Sequence, residues 1–285
     1  MQPFYPFLFV FLWSTGFIGA KFGLPHAEPL SFLLTRYLLV ILLMGALAWL
    51  TRAPWPAARR DWLHIGVSGL LVHAVYLGGV FVAIAHGLPA GVTALVVGMQ
   101  PLLTATVAGW LLGERVGLRQ WGGLLLGFCG VLLVVSGRLG EGSALGPQLL
   151  PALVALFGIT AGTLYQKRFC PRFDLRSGSL IQFVPTALVT ALGVLLFEDF
   201  RIDWQGEFLF ALGWLVLVLS VGAISLLNLL IRSGSAVNVA SLFYLTPPTT
   251  ALIAWGLFGE TLSPAAMLGM ALAVSGVYLV ARPAR

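Results

Sequence analysis

Charge is what this sequence has least of. Only 9% of its 285 residues are Asp, Glu, Lys or Arg, against roughly 25% in a water-soluble domain. A surface so poor in charge cannot be wetted by water, which excludes most soluble enzymes, and 59% hydrophobic residues exclude a disordered chain. Cysteine is scarce as well: Cys129 and Cys170 have no ligand-like spacing and support neither a disulfide scaffold nor a zinc site. No G-x-x-x-x-G-K-[ST] loop is present, so direct drive by ATP is excluded. The histidines, His26, His64, His73 and His86, form no H-E-x-x-H pair, and the acids stay at the ends of apolar runs. A catalytic site, a metal and a cofactor are therefore not expected. The net charge of +6 arises from Lys and Arg scattered singly or in twos, so nucleic acid is not an expected partner either.

Long apolar runs take the place of what is missing, and the mean hydropathy is +0.98. A helix needs about 20 mainly apolar residues to cross a bilayer. Ten segments qualify: Phe4–Ala20, Leu30–Leu50, Trp62–Ala85, Gly91–Leu112, Gln120–Gly137, Gln148–Gln166, Gly178–Phe197, Phe208–Ile231, Asn238–Phe258 and Ala265–Ala281. The first has signal-peptide length, but no basic stretch precedes it and no A-x-A-like cleavage site follows, so it is read as a retained span. Barrel strands would alternate apolar and polar residues. These runs are continuous, and only a helix satisfies its own backbone in lipid. The expected fold is an all-α polytopic membrane protein whose first partner is the lipid bilayer.

Basic residues set the orientation. With a cytoplasmic amino terminus, the inner side holds Arg52, Arg59, Arg60, Arg115, Arg119, Lys167, Arg168, Arg172, Arg176, Arg232, Arg282 and Arg285, whereas Lys21, Arg36, Arg138 and Arg201 fall outside. The protein is thus expected in the cell (plasma or inner) membrane with both termini cytoplasmic.

The chain also repeats itself at an offset of 146. Ala90, Ala94, Pro101, Thr104, Ala105 and Ala108 fall on Ala236, Ala240, Pro247, Thr250, Ala251 and Ala254; Gly113-Glu114 falls on Gly259-Glu260, and Lys21 on Lys167. Between Ala90 and Val134 about fifteen positions in forty-five are identical, where composition alone gives roughly four. Two units, 4–138 and 148–281, each hold five spans. An odd number inserts the halves in opposite senses, giving ten transmembrane helices as two inverted five-helix repeats. Such repeats open to either side in turn, which a static scaffold has no use for.

These residues carry a resemblance. Trp13-Ser14-x-Gly16 with Lys21, Gln100-Pro101 followed by Gly113-Glu114, and their partners Thr246-Pro247 and Gly259-Glu260 resemble the EamA family of the drug/metabolite transporter superfamily over essentially the whole chain. The resemblance implies ten helices with cytoplasmic termini and export of small metabolites or amino acids.

The site is sought where helices break at matching positions of the two halves. Pro101 and Pro247-Pro248 sit near the centres of the fourth and ninth spans, where each helix should kink and free the carbonyls of Val97 and Phe243. Gln100, Thr246 and Tyr244 lie beside these kinks. Other polar or aromatic residues deep in spans are Trp13, Ser14, His73, Tyr76, Tyr165, Gln182, Asn228, Asn238 and Ser241, and cost makes most of them face inward. Arg36, whose counterpart is Gln182, either grips a substrate carboxylate or snorkels to the interface. His73 is either satisfied by a neighbouring helix or carries a proton; without it, transport follows the solute gradient. The expected substrate-binding set is therefore Trp13, Ser14, Arg36, His73, Tyr76, Gln100, Tyr165, Gln182, Asn228 and Tyr244. Lys21 and Lys167 read as interfacial charges, and Glu114 and Glu260 as caps of the helices that follow them. Gly123, Gly127 and Gly130, mirrored by Gly269, Ala273 and Gly276, form small faces for close helix packing, within a monomer or a homodimer. The expected function is secondary transport of a small-molecule substrate outward. A lipid or lipid-linked-sugar flippase of similar fold is the alternative, and a membrane-embedded enzyme a weaker one.

Overall fold

A computed structural model describes residues 4–88, 90–136, 147, 149–170, 172–258 and 262–281. Arg138, Glu260, Arg282 and Arg285, and positions 138 and 148 that bound the two expected units, lie outside the described residues, as does the side chain of Lys21. The chain forms α1 (Tyr5–Gly23), α2 (Pro29–Leu50), α3 (Arg59–Ala85), α4 (Val92–Leu112), α5 (Leu118–Ser136), α6 (Leu149–Phe169), α7 (Leu175–Phe197), α8 (Gly206–Ser233), α9 (Ala236–Leu257) and α10 (Pro264–Ala281). Among the described residues, the nine from α2 to α10 are long and apolar enough to cross a bilayer, and α1 adds the apolar stretch Tyr5–Gly16. The described residues contain no strand, only an isolated bridge between Ala27 and Ile202. Trp110, Leu118, Leu195 and Phe197 stand on the outer surface, where lipid rather than water is their natural solvent.

Four of these helices break or change helix type, and they pair; α7 carries Pro185 within an unbroken helix. α3 passes through a π-helical stretch at Leu70–Leu77 and α8 through another at Leu215–Ala223. α4 stops at Val97 and restarts at Gln100; α9 tightens to a 3₁₀ turn at Leu242–Leu245 and restarts at Thr246. At an offset of 146, Leu70 meets Val216, Val97 meets Phe243 and Gln100 meets Thr246. Pro101 and Pro247 each stand one residue into the restarted helix, where a missing N–H costs nothing. The carbonyl of Phe243 is not freed, because the 3₁₀ turn lets it accept from the Thr246 N–H.

Carboxylates at helix starts tie the two halves together. Glu198, just past α7, accepts from the N–H groups of Leu30 and Ser31 at 2.8 and 2.7 Å and from Ser31 Oγ at 2.7 Å. Glu28 answers by accepting from the N–H groups of Asp199 and Arg201 at 3.1 and 3.0 Å. At the other end of the molecule Glu114 takes the N–H groups of Ala236 and Val237 at 2.8 and 3.4 Å. Glu114 therefore caps α9 of the opposite half and not α5, which follows it. Gly113, in the left-handed region at φ 70, turns the chain after α4. An anion there meets orphan donors and the positive end of the helix dipole together. Lys167 does the converse, donating to the carbonyls of Ile231, at 2.9 Å, and Gly234 at the end of α8. Asp174 caps its own α7, and the Arg176 guanidinium bonded to it holds its carboxyl below the usual carboxylate range.

The small faces of α5 and α10 press on each other. A Cβ on Gly276 would lie 2.5 Å from both Gly123 O and Gly127 N, and one on Gly130 2.5 Å from Ala273 N. The faces are used within one chain, so a homodimer cannot use them. Gly276→Leu is expected to destabilise the purified protein by at least the ~1–3 kcal/mol of ordinary overpacking, read as a lowered thermal midpoint in detergent. Gly122→Leu, on the same α5 with nothing within 4 Å of the added carbon, is expected to leave the midpoint unchanged.

Candidate functional site

Trp13 of α1 and Tyr76 of α3 stack face to face, centroids 6.3 Å apart and planes 10° from parallel. Phe243, in the 3₁₀ turn of α9, meets the Trp13 ring edge-on at 5.3 Å. Two cavities border the Trp13–Tyr76 pair. One, of about 10 Å³, is lined by Val97, Gly98, Thr246 and Pro247, so both helix interruptions reach it. The other, of about 40 Å³, is lined by Arg36, Leu77, Val80, Phe81, Leu215, Leu219 and Ile224. A water needs roughly 10–15 Å³, so the second cavity has space for a few waters.

Among the described residues, Arg36 is the only charged group lining that cavity. It is 3% exposed, so it does not snorkel to the interface. Its Nε donates to Ser220 Oγ of the π stretch in α8 at 2.9 Å, and no carboxylate pairs with it among the described residues. A guanidinium stays protonated under any ordinary condition, and burying such a charge costs several kcal/mol unless an anion compensates. Arg36 lines the cavity, and an anion bound there would complete its guanidinium.

A second polar cluster fills the matching region of the other half. Gln182, the counterpart of Arg36, donates from Nε2 to Ser68 Oγ at 3.0 Å and lies 3.5 Å from Gln166 Oε1. Gln166 donates to Asn228 Oδ1 at 2.9 Å. Backbones meet directly near this cluster: a Cβ on Gly69 would lie 2.5 Å from Gln182 Cα, and one on Gly158 2.9 Å from Tyr76 N. Gln100 makes one long bond to Thr163 Oγ1 at 3.4 Å. Gln182 Oε1, Asn228 Nδ2, Gln100 Oε1, Thr104 Oγ1 and Thr246 Oγ1 are buried without a hydrogen-bond partner in the protein. Both ring nitrogens of His73 share that state, although the ring stacks on Phe183 at 4.2 Å. So many unmet groups in one region are exceptional for a protein interior.

The structure thus brings Trp13, Arg36 and Tyr76 to one cavity. Gln182 and Asn228 belong to the second cluster, with His73 on the same α3 between the two. Ser14 fastens α1 to the break in α9: its Oγ lies 2.6 Å from Val10 O and 3.3 Å from Thr246 O, and its own carbonyl accepts from Thr250 Oγ1. Two expected residues lie elsewhere. Tyr165 faces away from the cluster and bonds His64 Nδ1 at 2.6 Å, because it sits about 100° around the helix from Gln166. Tyr244 packs its ring over Gly127 among α4, α5, α9 and α10. Sequence reasoning missed Ser220, Ser68, Thr163 and Gln166. Gln166 had a signal, since it continues the Gly158–Gly162 face at steps of four.

Comparison with known proteins places these features. The sequence profile of the EamA-like transporter family matches residues 3–136 and again residues 147–282. An Escherichia coli K12 protein called "Uncharacterized inner membrane transporter YedA" is 27% identical over 274 residues, covering 96% of this chain and 88% of that one. A "Probable amino-acid metabolite efflux pump" of Salmonella typhimurium LT2 is 28% identical over 282 residues, covering 95% and 92%. A solved crystal structure superposes with a TM-score of 0.79 at 23% identity, covering 97% of this chain and 95% of that one, and shares the fold.

An uncompensated buried charge makes a stability prediction. Replacing Arg36 by an apolar residue of similar length, Arg36→Met, is expected to leave thermal stability in detergent unchanged or to raise it, by up to ~1–4 kcal/mol. A fall of ~3–5 kcal/mol, the usual cost of breaking a buried pair, would instead give Arg36 a structural partner.

Proposed function

The chain belongs to the EamA-like transporter family, and from that premise we propose that it is a secondary carrier moving small metabolites or amino acids outward by alternating access. Its ten helices form two inverted five-helix units, 4–138 and 148–281, in the inner membrane with both termini cytoplasmic, and it performs no enzymatic reaction. The observation that carries this reading is the pairing of irregular helices. The π stretches of α3 and α8 and the breaks of α4 and α9 recur at one offset, and they meet around the Trp13–Tyr76 pair. Discontinuous helices at corresponding positions are how carriers expose backbone and polar groups at mid-membrane. The family profile matching once in each half supports the two units, and the Salmonella efflux pump supports the direction and the solute class.

In this reading Trp13, Ser14, Arg36, His73, Tyr76 and Gln100 line the path. Gln182 and Asn228, joined through Gln166, close it toward the amino-terminal side. The aromatic walls suit a small solute better than a lipid headgroup.

Flux in proteoliposomes against a panel of amino acids and metabolites, with and without a pH gradient, tests the proposal. Saturable movement is expected for at least one solute, reduced tenfold or more in Trp13→Ala and Tyr76→Ala. It should persist in Tyr165→Phe and Tyr244→Phe, whose side chains pack elsewhere. Movement insensitive to Trp13→Ala and Tyr76→Ala, or no movement of any solute, would overturn the site or the function.

A further inference from the structure

Building on the carrier reading above, we infer that the cargo is a monocarboxylate with an apolar body, and that its export is electrogenic and driven by the membrane potential. The warrant is a charge balance. The Arg36 cavity holds one permanent cation and no anion among the described residues. The titratable side chains around it, Tyr37, His73 and Tyr76, are not anions at neutral pH. Every described acid lies at a helix end or in a connection: Glu28, Glu198, Asp199, Asp203 and Glu207 at one end of the molecule, Asp61, Glu114 and Asp174 at the other. One carboxylate on the cargo completes Arg36 in a bidentate geometry that fits a guanidinium.

The same balance rejects other solutes. A zwitterionic amino acid brings an ammonium group for which the cavity has no carboxylate, so that charge would be desolvated against Leu215, Leu219 and ring faces. A dicarboxylate brings a second anion, for which the cavity holds no second cation among the described residues. An amine brings a like charge beside Arg36. The remaining walls, Val80, Phe81 and Ile224 with Trp13, reward an apolar or aromatic body.

Energetics follow from the occupied and empty states. Loaded, the site is neutral and changes its access without moving charge through the field. Empty, it carries one positive charge, whose return from outward to inward access runs with an inside-negative potential. Each cycle therefore exports one negative charge. At 100 mV one charge is worth about 2.3 kcal/mol, which sustains a ratio of ~50-fold outside over inside. No proton carrier is required, in keeping with described acids that lie only at helix ends and in connections.

The full-length protein, reconstituted on a solid-supported membrane, gives the test with 3-phenylpropionate as probe and L-phenylalanine as the same body with an added ammonium. Leak of the neutral acid through lipid is electrically silent, so current reports the carrier. 3-Phenylpropionate is expected to give a saturable current at least ~10-fold above that of phenylalanine at equal concentration. In proteoliposomes its outward flux should rise with a valinomycin-set potential. Arg36→Gln, which gives α2 the residue that α7 carries at the equivalent position, should abolish the current, and Arg36→Lys should retain part of it at a higher half-saturating concentration. If labelled phenylalanine moves as well as 3-phenylpropionate or better, the carrier stands and the substrate class is wrong. If 3-phenylpropionate moves without current and follows a pH gradient, the electrogenic cycle is wrong. If no solute of either kind or of the wider panel moves, the carrier reading itself fails.

Discussion

Hydrocarbon forms no hydrogen bonds, and the rest of this molecule answers to that constraint. A chain with so few charged residues solves it by making nearly every backbone group part of a helix. Where a helix departs from the regular pattern, the loosened groups must be sheltered by protein. The four departures here, two π stretches and two breaks, are gathered around one aromatic pair, Trp13 and Tyr76. Several polar side chains without partners lie on these departures, His73, Gln100 and Thr246 among them. A structure selected only for stability would have filled this space with leucine. Keeping an unpaired guanidinium and a row of unmet amides there costs stability, and such cost is usually retained for function.

The two halves fill the same position differently. Arg36 in α2 borders a cavity and leans on Ser220 of α8, whereas Gln182 in α7 is held by Ser68 and Gln166 with backbones in contact around it. On the proposed reading, one unit is caught loose and the other tight. Exchange of the two arrangements would move the opening from one side to the other. Glu198, Glu28 and Glu114 link the halves at their ends, and the glycine faces of α5 and α10 and of α3 and α6 hold them together within the membrane.

Much of this was legible in the residues, and the losses have physical causes. Helix positions follow from hydropathy because lipid punishes anything else, so segments drawn between charges fall close to α2 through α10. The breaks near Pro101 and Pro247 were visible because proline cannot donate. The π stretches were not: their sequences, Leu70–Leu77 and Leu215–Ala223, are as apolar as any regular helix, and an added residue per turn leaves no compositional trace. Glu114 caps α9 rather than the helix that follows it, and its partner Ala236 lies 122 positions away, which spacing cannot reveal. Tyr165 is expected at the site as an aromatic wall, and its neighbour Gln166 joins the polar cluster instead. One step along a helix turns a side chain by about 100°, and Gln166 is the residue that the glycine face of α6 carries inward. Ser220 sits in an apolar run with no motif around it, and only the fold brings it to Arg36.

Everything rests on opposite insertion of two like units. With Cys129 and Cys170 replaced by alanine, single cysteines at Gly117 and at Ser263, which are 146 positions apart in the turns after α4 and α9, report the side directly through a membrane-impermeant maleimide applied to intact and opened cells. The account predicts protection at Gly117 and labelling at Ser263 in intact cells. Labelling of both from one side of the bilayer would contradict it.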